Sequence, residues 1–404
     1  MFGLGGAVQR VEDSPTRRPE LKPLGYHRDI VALFQDKERT VWDWAASQRT
    51  QDEQIASVRA SMLRETYRLD PAAHQAIHDK CHKALAALEI DVPVTLYQAA
   101  DGAMNAALCY IPGEIHLIFY GAILEKLSGD EMVALMGHEL AHYRLWSLES
   151  GAFHVANRIL DHALVYPDAA PSHFETARLY SLSTELFADR GAAVAAGSAH
   201  PAISTLVKTM TGLTNVDAAS YLKQSAELDA AGSTSQGTSH PEIFLRAQAV
   251  DRWWNGDAEL DSWIDARLRG PLSLAALDMP RQHELTAITR KFFVGLLSDK
   301  ALLSEAVATQ IKRFFPDWDA DRPRLEDGEL SPDRADGSIR DYLVALTCDL
   351  ALADREIKDE VLVAGARMMR RFDAIRNFRD GLKRNLRMTK QAIDKIVAQI
   401  DEAA

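Results

Sequence analysis

Residues 136–144 read MGHELAHYR, and whether they form a helix decides how the rest of the chain is read. The surrounding segment SGDEMVALMGHELAHYRLWSL opens with Ser128 and carries Glu131 three residues on, the capping-box pattern that starts a helix. On such a helix His138 and His142 stand four residues apart and project from one face, one turn apart. Two imidazole nitrogens at that spacing can reach one zinc ion at about 2.0–2.1 Å. Glu139 lies beside the first histidine, where it can meet a water on the ion rather than the ion, and take up its proton as general base.

A catalytic zinc needs a third protein ligand and an open position. The segment STELFADRG offers one: Glu185, 43 residues beyond His142, with Asp189 four residues later on a predicted helix. Glu185 can ligate, while Asp189 can accept a hydrogen bond from a ligand histidine and so fix its tautomer. HExxH arises by chance in roughly one in a hundred chains of this length, while ExxxD alone is common and on most helices is a solvated face. Two helices that each offer such a pair, in this order, make a far more specific signal.

The chain has 404 residues, 47% hydrophobic and 26% charged, enough for more than one core. Ala and Leu are abundant and strand-like runs are few, so the fold is expected to be α+β and predominantly helical. A net charge of −12 argues against nucleic-acid partners for the molecule as a whole. No run of 18 or more apolar residues occurs, so no membrane span is expected, and the N-terminus lacks the apolar core of a secretory signal. Cys81, Cys109 and Cys348 are odd in number and contain no CxxC, which favours a reducing, cytoplasmic location.

Along the chain, residues 1–26 read as a flexible tail and 28–68 as one or two amphipathic helices. A helix is expected to start at Asp70-Pro71 and run to about Leu88. VPVTLYQA reads as a strand, and ALCYIPGEIHLIFY as a hairpin turning at Pro112-Gly113. Further helices are expected over 150–166, 173–197 and PEIFLRAQAVDRWW, with a flexible small-residue loop at 230–242. These give a catalytic domain over 27–270, a linker at 271–281, and an all-α domain at 282–404 interrupted by an acidic, Pro-rich loop at 316–337.

The motifs together resemble the M48 peptidases, a family of gluzincin zinc endopeptidases. The resemblance covers about residues 65–250. It rests on the run from YRLDPAAH through MNAAL and the hairpin to HELAH, on STELFADRGA, and on TSHPEIFLRA. It implies a metallopeptidase domain with a small sheet and a zinc-binding helix, which the lack of an apolar span leads us to expect in soluble form. His138, His142 and Glu185 would hold one Zn2+ per chain, Glu139 would be the catalytic base, and Asp189 would support a ligand. It further implies that His240 assists the oxyanion or the substrate backbone, that Arg246 supports the acidic pair, and that Asn105 contacts substrate backbone near an edge strand. His240 also fits a plain loop residue, and Asn105 a strand terminator. Many members of the family carry membrane helices or a secretion signal; this chain has neither, so preferences for membrane-bound or prenylated substrates are not carried over.

Other signals are weaker. His74, His78 and His82 fall at i, i+4 and i+8 beside Cys81, which reads as a packed or solvated stripe. DWDADRPRLEDG places Asp317, Asp319 and Asp321 like a calcium loop, but Arg322 and Gly328 stand where Gly and Glu are needed. LALADREIKDEVLVAGARMM (350–369) resembles the TerB-like helical domains, with Asp354, Glu356 and Glu360 as its acidic positions. A basic stretch from Arg367 to Lys390 reads as solvated helix faces. The expected function is a zinc endopeptidase acting on peptides or unfolded proteins. The alternative is a silent or latent zinc-stabilised adaptor whose C-terminal helical domain binds a protein partner.

Overall fold

The computed structural model describes residues 19–47, 59–60, 62, 64–100, 102–166, 168–319, 323–326 and 328–400. Its architecture is predominantly helical with one small sheet, the α+β class expected from composition. Helices α1 (Gly25–Lys37) and α2 (Arg39–Ala46) open it. The helical reading of residues 28–68 fails at its end: Thr66–Arg68 form strand β1, paired antiparallel with β2 (Val94–Ala99). Thr and Tyr favour a pleated surface, and the Leu69 N–H continues the ladder by donating to the Leu96 carbonyl at 2.9 Å. The helix expected at Pro71 also begins later. Asp70 accepts hydrogen bonds from the Ala72 and Ala73 N–H groups at 2.9 and 3.3 Å, which closes a turn, and α3 runs from Gln75 to Ala87.

Strands β3 (Asn105–Ile111) and β4 (Glu114–Tyr120) form the expected hairpin, with Ile111 opposite Glu114. Gly113 has φ +84°, the positive value that the second central residue of a type II turn requires. The strand order is β1-β2-β4-β3, with β2 and β4 parallel, so β3 is an edge strand. Ile115, Leu117 and Phe119 alternate along β4 onto one face and are fully buried. They pack with Cys81 and Leu85 of α3 and with Met132, Met136 and Leu140 of the next long helix. Each such side chain contributes roughly 1.5–3 kcal/mol when withdrawn from water.

After the short α4 (Ile123–Lys126) comes that long helix, α5 (Gly129–Ser147), started by the expected capping box. Ser128 N–H donates to Glu131 Oε2 at 2.7 Å, and Glu131 N–H donates to Ser128 Oγ at 3.4 Å. The same Glu131 carboxylate is buried and accepts from Lys208 Nζ at 2.8 Å, which ties α5 to α8 (Ala199–Thr211). Helices α6 (Ala152–Leu164) and α7 (Pro171–Ala196) precede α8. Helices α9 (Ala218–Ala230), α10 (Ile243–Trp254) and α11 (Leu260–Leu268) follow it.

The remaining helices are α12 (Met279–Leu296), α13 (Glu305–Phe314), α14 (Gly337–Ala353), α15 (Lys358–Arg371), α16 (Ile375–Leu386) and α17 (Lys390–Ala398). Their buried apolar side chains, from Leu272 to Ile400, form one cluster of their own. The stretch expected as a linker, 271–281, is fastened on both sides. Met279 N–H donates to Thr176 Oγ1 at 2.9 Å, Tyr26 Oη donates to Asp278 Oδ2 at 3.0 Å, and Leu272 bridges to Ala335. Among the described residues no helix is long and apolar enough to cross a membrane.

Candidate metal centre and cleft

Helices α5 and α7 cross unusually closely because both carry glycine at the crossing. A Cβ on Gly137 would lie 2.3 Å from the Ala195 Cβ, and one on Gly191 would lie 2.2 Å from the Ala141 Cβ. Gly137 meeting Ala195 while Ala141 meets Gly191 makes the helices antiparallel. This crossing brings His138 and His142 opposite Asp189 and Glu185. Gly191→Ala is therefore expected to wedge the helices apart, lowering stability by about 1–3 kcal/mol and weakening any metal binding by the His138, His142 and Glu185 group. Urea denaturation and competition with a chromogenic chelator would check this; wild-type values in both would mean that the crossing adapts without cost.

His138 Nε2 lies 3.5 Å from Glu185 Oε2, and His142 Nε2 lies 3.7 Å from Glu185 Oε1. His138 Nδ1 lies 3.1 Å from Asp189 Oδ1, the contact expected to fix its tautomer. Arg246, on α10, donates from Nε to Asp189 Oδ2 at 2.8 Å and from Nη2 to Asp189 Oδ1 at 2.7 Å. The same Nη2 is 3.1 Å from Glu185 Oε2. His240 Nε2 lies 3.5 Å from Glu185 Oε1, while its Nδ1 meets Ser239 Oγ at 2.9 Å. All eight residues singled out in the sequence, from Asn105 to Arg246, line one cleft of about 530 Å3. Edge strand β3 supplies another of its walls through Asn105–Leu108.

Burial works against every charge in this group, and the partners decide the outcome. Burial alone would raise Glu185, but Arg246 and His138 hold its carboxyl far below the usual range; Asp189 is lowered in the same way by Arg246. Burial opposes a charged His138, yet hydrogen bonds to Asp189 and Glu185 push it up to about 10. His142, lacking such a hydrogen bond, is lowered by burial to about 4. Glu139 is raised, chiefly by burial and also by Glu185; His138 and the Leu108 N–H of β3 oppose the rise.

The donor set suits zinc. His138, His142 and Glu185 each present one ligand atom within 4.8 Å of the others, the only such trio among the described residues. Tetrahedral ligands on bonds of about 2.0 Å would lie about 3.3 Å apart; the histidines approach Glu185 at 3.5 and 3.7 Å, though each at a different carboxylate oxygen. The pull of Asp189 and Glu185 that pushes His138 up to about 10 is equally a pull on a cation held at this point.

The segment 230–242, expected as a flexible loop, ends α9 at Ala230 and is then tied to α7. Arg178 Nη1 donates to the Gly237 carbonyl at 3.1 Å, and Ser181 Oγ donates to the Ser239 carbonyl at 2.9 Å. The weaker signals do not gather as metal sites. His78 Nε2 meets the Leu69 carbonyl at 2.9 Å in the core, and Cys81 is fully buried. Asp354 accepts from the Glu356 N–H at 3.0 Å as a local turn. In the basic stretch, Arg384 lies 3.6 Å from Asp341 and Arg376 lies 4.0 Å from Asp380. Asp321 and Arg322 of the calcium-like loop lie outside the described residues.

Sequence reasoning missed the α8 wall of the cleft, formed by Thr205, Leu206, Thr209 and Met210, and the glycine crossing. The small residues Gly137, Ala141, Gly191 and Ala195, four apart on each helix, were the available signal. Comparison with protein-family models, with curated proteins and with solved structures gives no match for this chain.

Proposed function

We propose that the chain is a zinc-dependent endopeptidase of the gluzincin type, as its resemblance to the M48 peptidases implies. The observation that carries this reading is the convergence of His138, His142 and Glu185 beside Glu139, in a cleft walled by a strand edge with no partner strand among the described residues. A zinc ion held by these three residues would supply Lewis acidity, polarising the scissile carbonyl and acidifying water. Glu139, its carboxyl raised by burial, takes the proton from the attacking water and hands it to the leaving amine. Substrate backbone pairs with the free edge of β3, with Asn105 at its end, a mode that reads main chain more than side chain. His240, with a side chain 59% exposed, turns into the cleft and donates to the developing oxyanion. A silent adaptor would have no use for Glu139, which favours an enzyme. Its free thiols, Cys81 and Cys348 buried among them, suit a reducing, cytoplasmic setting.

Removing the metal tests the proposal. Purified protein is expected to hold one zinc per chain and to cut casein. Chelation should stop the cutting, and one equivalent of zinc should restore it. Casein hydrolysis that continues after complete metal removal would sink the reading.

A further inference from the structure

The cleft continues past the metal centre. Asn157 on α6 and Ser181 on α7 line both it and a second hollow of about 870 Å3. This hollow follows the same two helices away from Glu185. Helix α6 runs outward from Asn157 to Leu164, and α7 returns from Pro171 to Glu185. Leu164, Phe174 and Leu274 line the hollow and remain 42%, 43% and 41% exposed. Val165 and Tyr166, next in the chain, are 76% and 55% exposed. Scattered exposed apolar side chains need no explanation, but a group of them along one groove marks a binding surface. The strongest polar group there is already committed: Arg178 donates to both Glu175 oxygens and to the carbonyls of Gly237 and Leu268.

The third wall, residues 274–277, comes from the segment between α11 and α12. Leu274 N–H donates to Ser338 Oγ at 3.0 Å, so the C-terminal helices hold this wall in place. Phe174 precedes Glu185 by eleven positions on one helix, about 16 Å at about 1.5 Å per residue. An extended chain rising about 3.3 Å per residue covers that span in about five residues.

The geometry points to this hollow as a remote subsite for the substrate chain itself, taking a large apolar side chain about five residues from the scissile bond. It rests on the endopeptidase reading above, and its continuity with the catalytic cleft is what assigns the substrate as occupant. The substrate class is then an extended segment that presents Leu- or Phe-like side chains along its length, as an unfolded chain does.

The test compares two peptides, identical except for Leu or Ser about five residues from the centre, with the exchange made on either side in turn. Their binding to zinc-loaded Glu139→Gln protein, which retains the cleft without the base, is read by fluorescence anisotropy. The Leu peptide is expected to bind about tenfold tighter on one side. That preference should fall below about threefold in protein that also carries Phe174→Ser and Leu274→Ser. Both changes fall at half-exposed positions, and melting curves would confirm folding. Equal binding of Leu and Ser peptides, or a preference unaltered by the two changes, overturns the subsite. Because this assay reads binding alone, the subsite can fail while Glu139-dependent casein cleavage stands, and it can hold while that cleavage fails.

Discussion

Glu139→Gln should lose about 10²–10⁴-fold in the rate of casein hydrolysis and keep its zinc. The size follows from its role: the amide is nearly isosteric with the carboxylate but cannot take the proton of the attacking water. The retained metal follows from position. His138, His142 and Glu185 form the converging trio, and Glu139 lies outside it. Its environment is that of a base: buried, raised in pKa, and facing the Leu108 N–H of the strand on which substrate would lie. Initial rates alongside metal analysis of the same samples would decide the point. A variant as fast as wild type removes the mechanism. One that is slow because it is empty of zinc makes Glu139 a structural part of the metal site instead.

Arg246→Ala should destabilise the zinc-free protein by about 3–5 kcal/mol. Its guanidinium holds Asp189 through two hydrogen bonds and lies 3.1 Å from Glu185, and all three residues are more than nine-tenths buried. Truncation leaves two carboxylates in a poorly solvated site with their main positive partner gone. Zinc should recover part of the loss, because the cation compensates Glu185 directly. Arg246→Lys should fall between the two, since an ammonium keeps the charge but cannot reproduce the planar fork. Urea denaturation with and without zinc reads all of this. A loss under about 1 kcal/mol in the zinc-free alanine variant would mean that solvent reaches the site and replaces the guanidinium.

The site was more legible in the sequence than parts of the fold around it. A helix fixes side-chain direction at every fourth residue, so HELAH and ExxxD carry their geometry in their spacing. All eight residues drawn from those motifs and from the resemblance line one cleft. What spacing does not carry is pairing between distant segments. Thr66–Arg68 lie at the end of a helical pattern, and only the edge of β2 makes them a strand. The α8 wall and the second hollow depend likewise on which helices become neighbours, and the linker reading of 271–281 missed hydrogen bonds to Thr176 and Tyr26.

On the zinc proposal, the glycine crossing of α5 and α7 would make the metal site a ruler for helix register. A slip of one residue along α7 would carry Glu185 about 1.5 Å past the histidines, several times the roughly 0.2 Å tolerance of a zinc–ligand bond. With no side chains at Gly137 and Gly191 to interlock, the backbones themselves set the depth of contact, and a bound ion would reward only one alignment. Metal affinity should therefore report how faithfully two helices separated by α6 have come together. A metal titration would then detect misalignments too small to change its helix content.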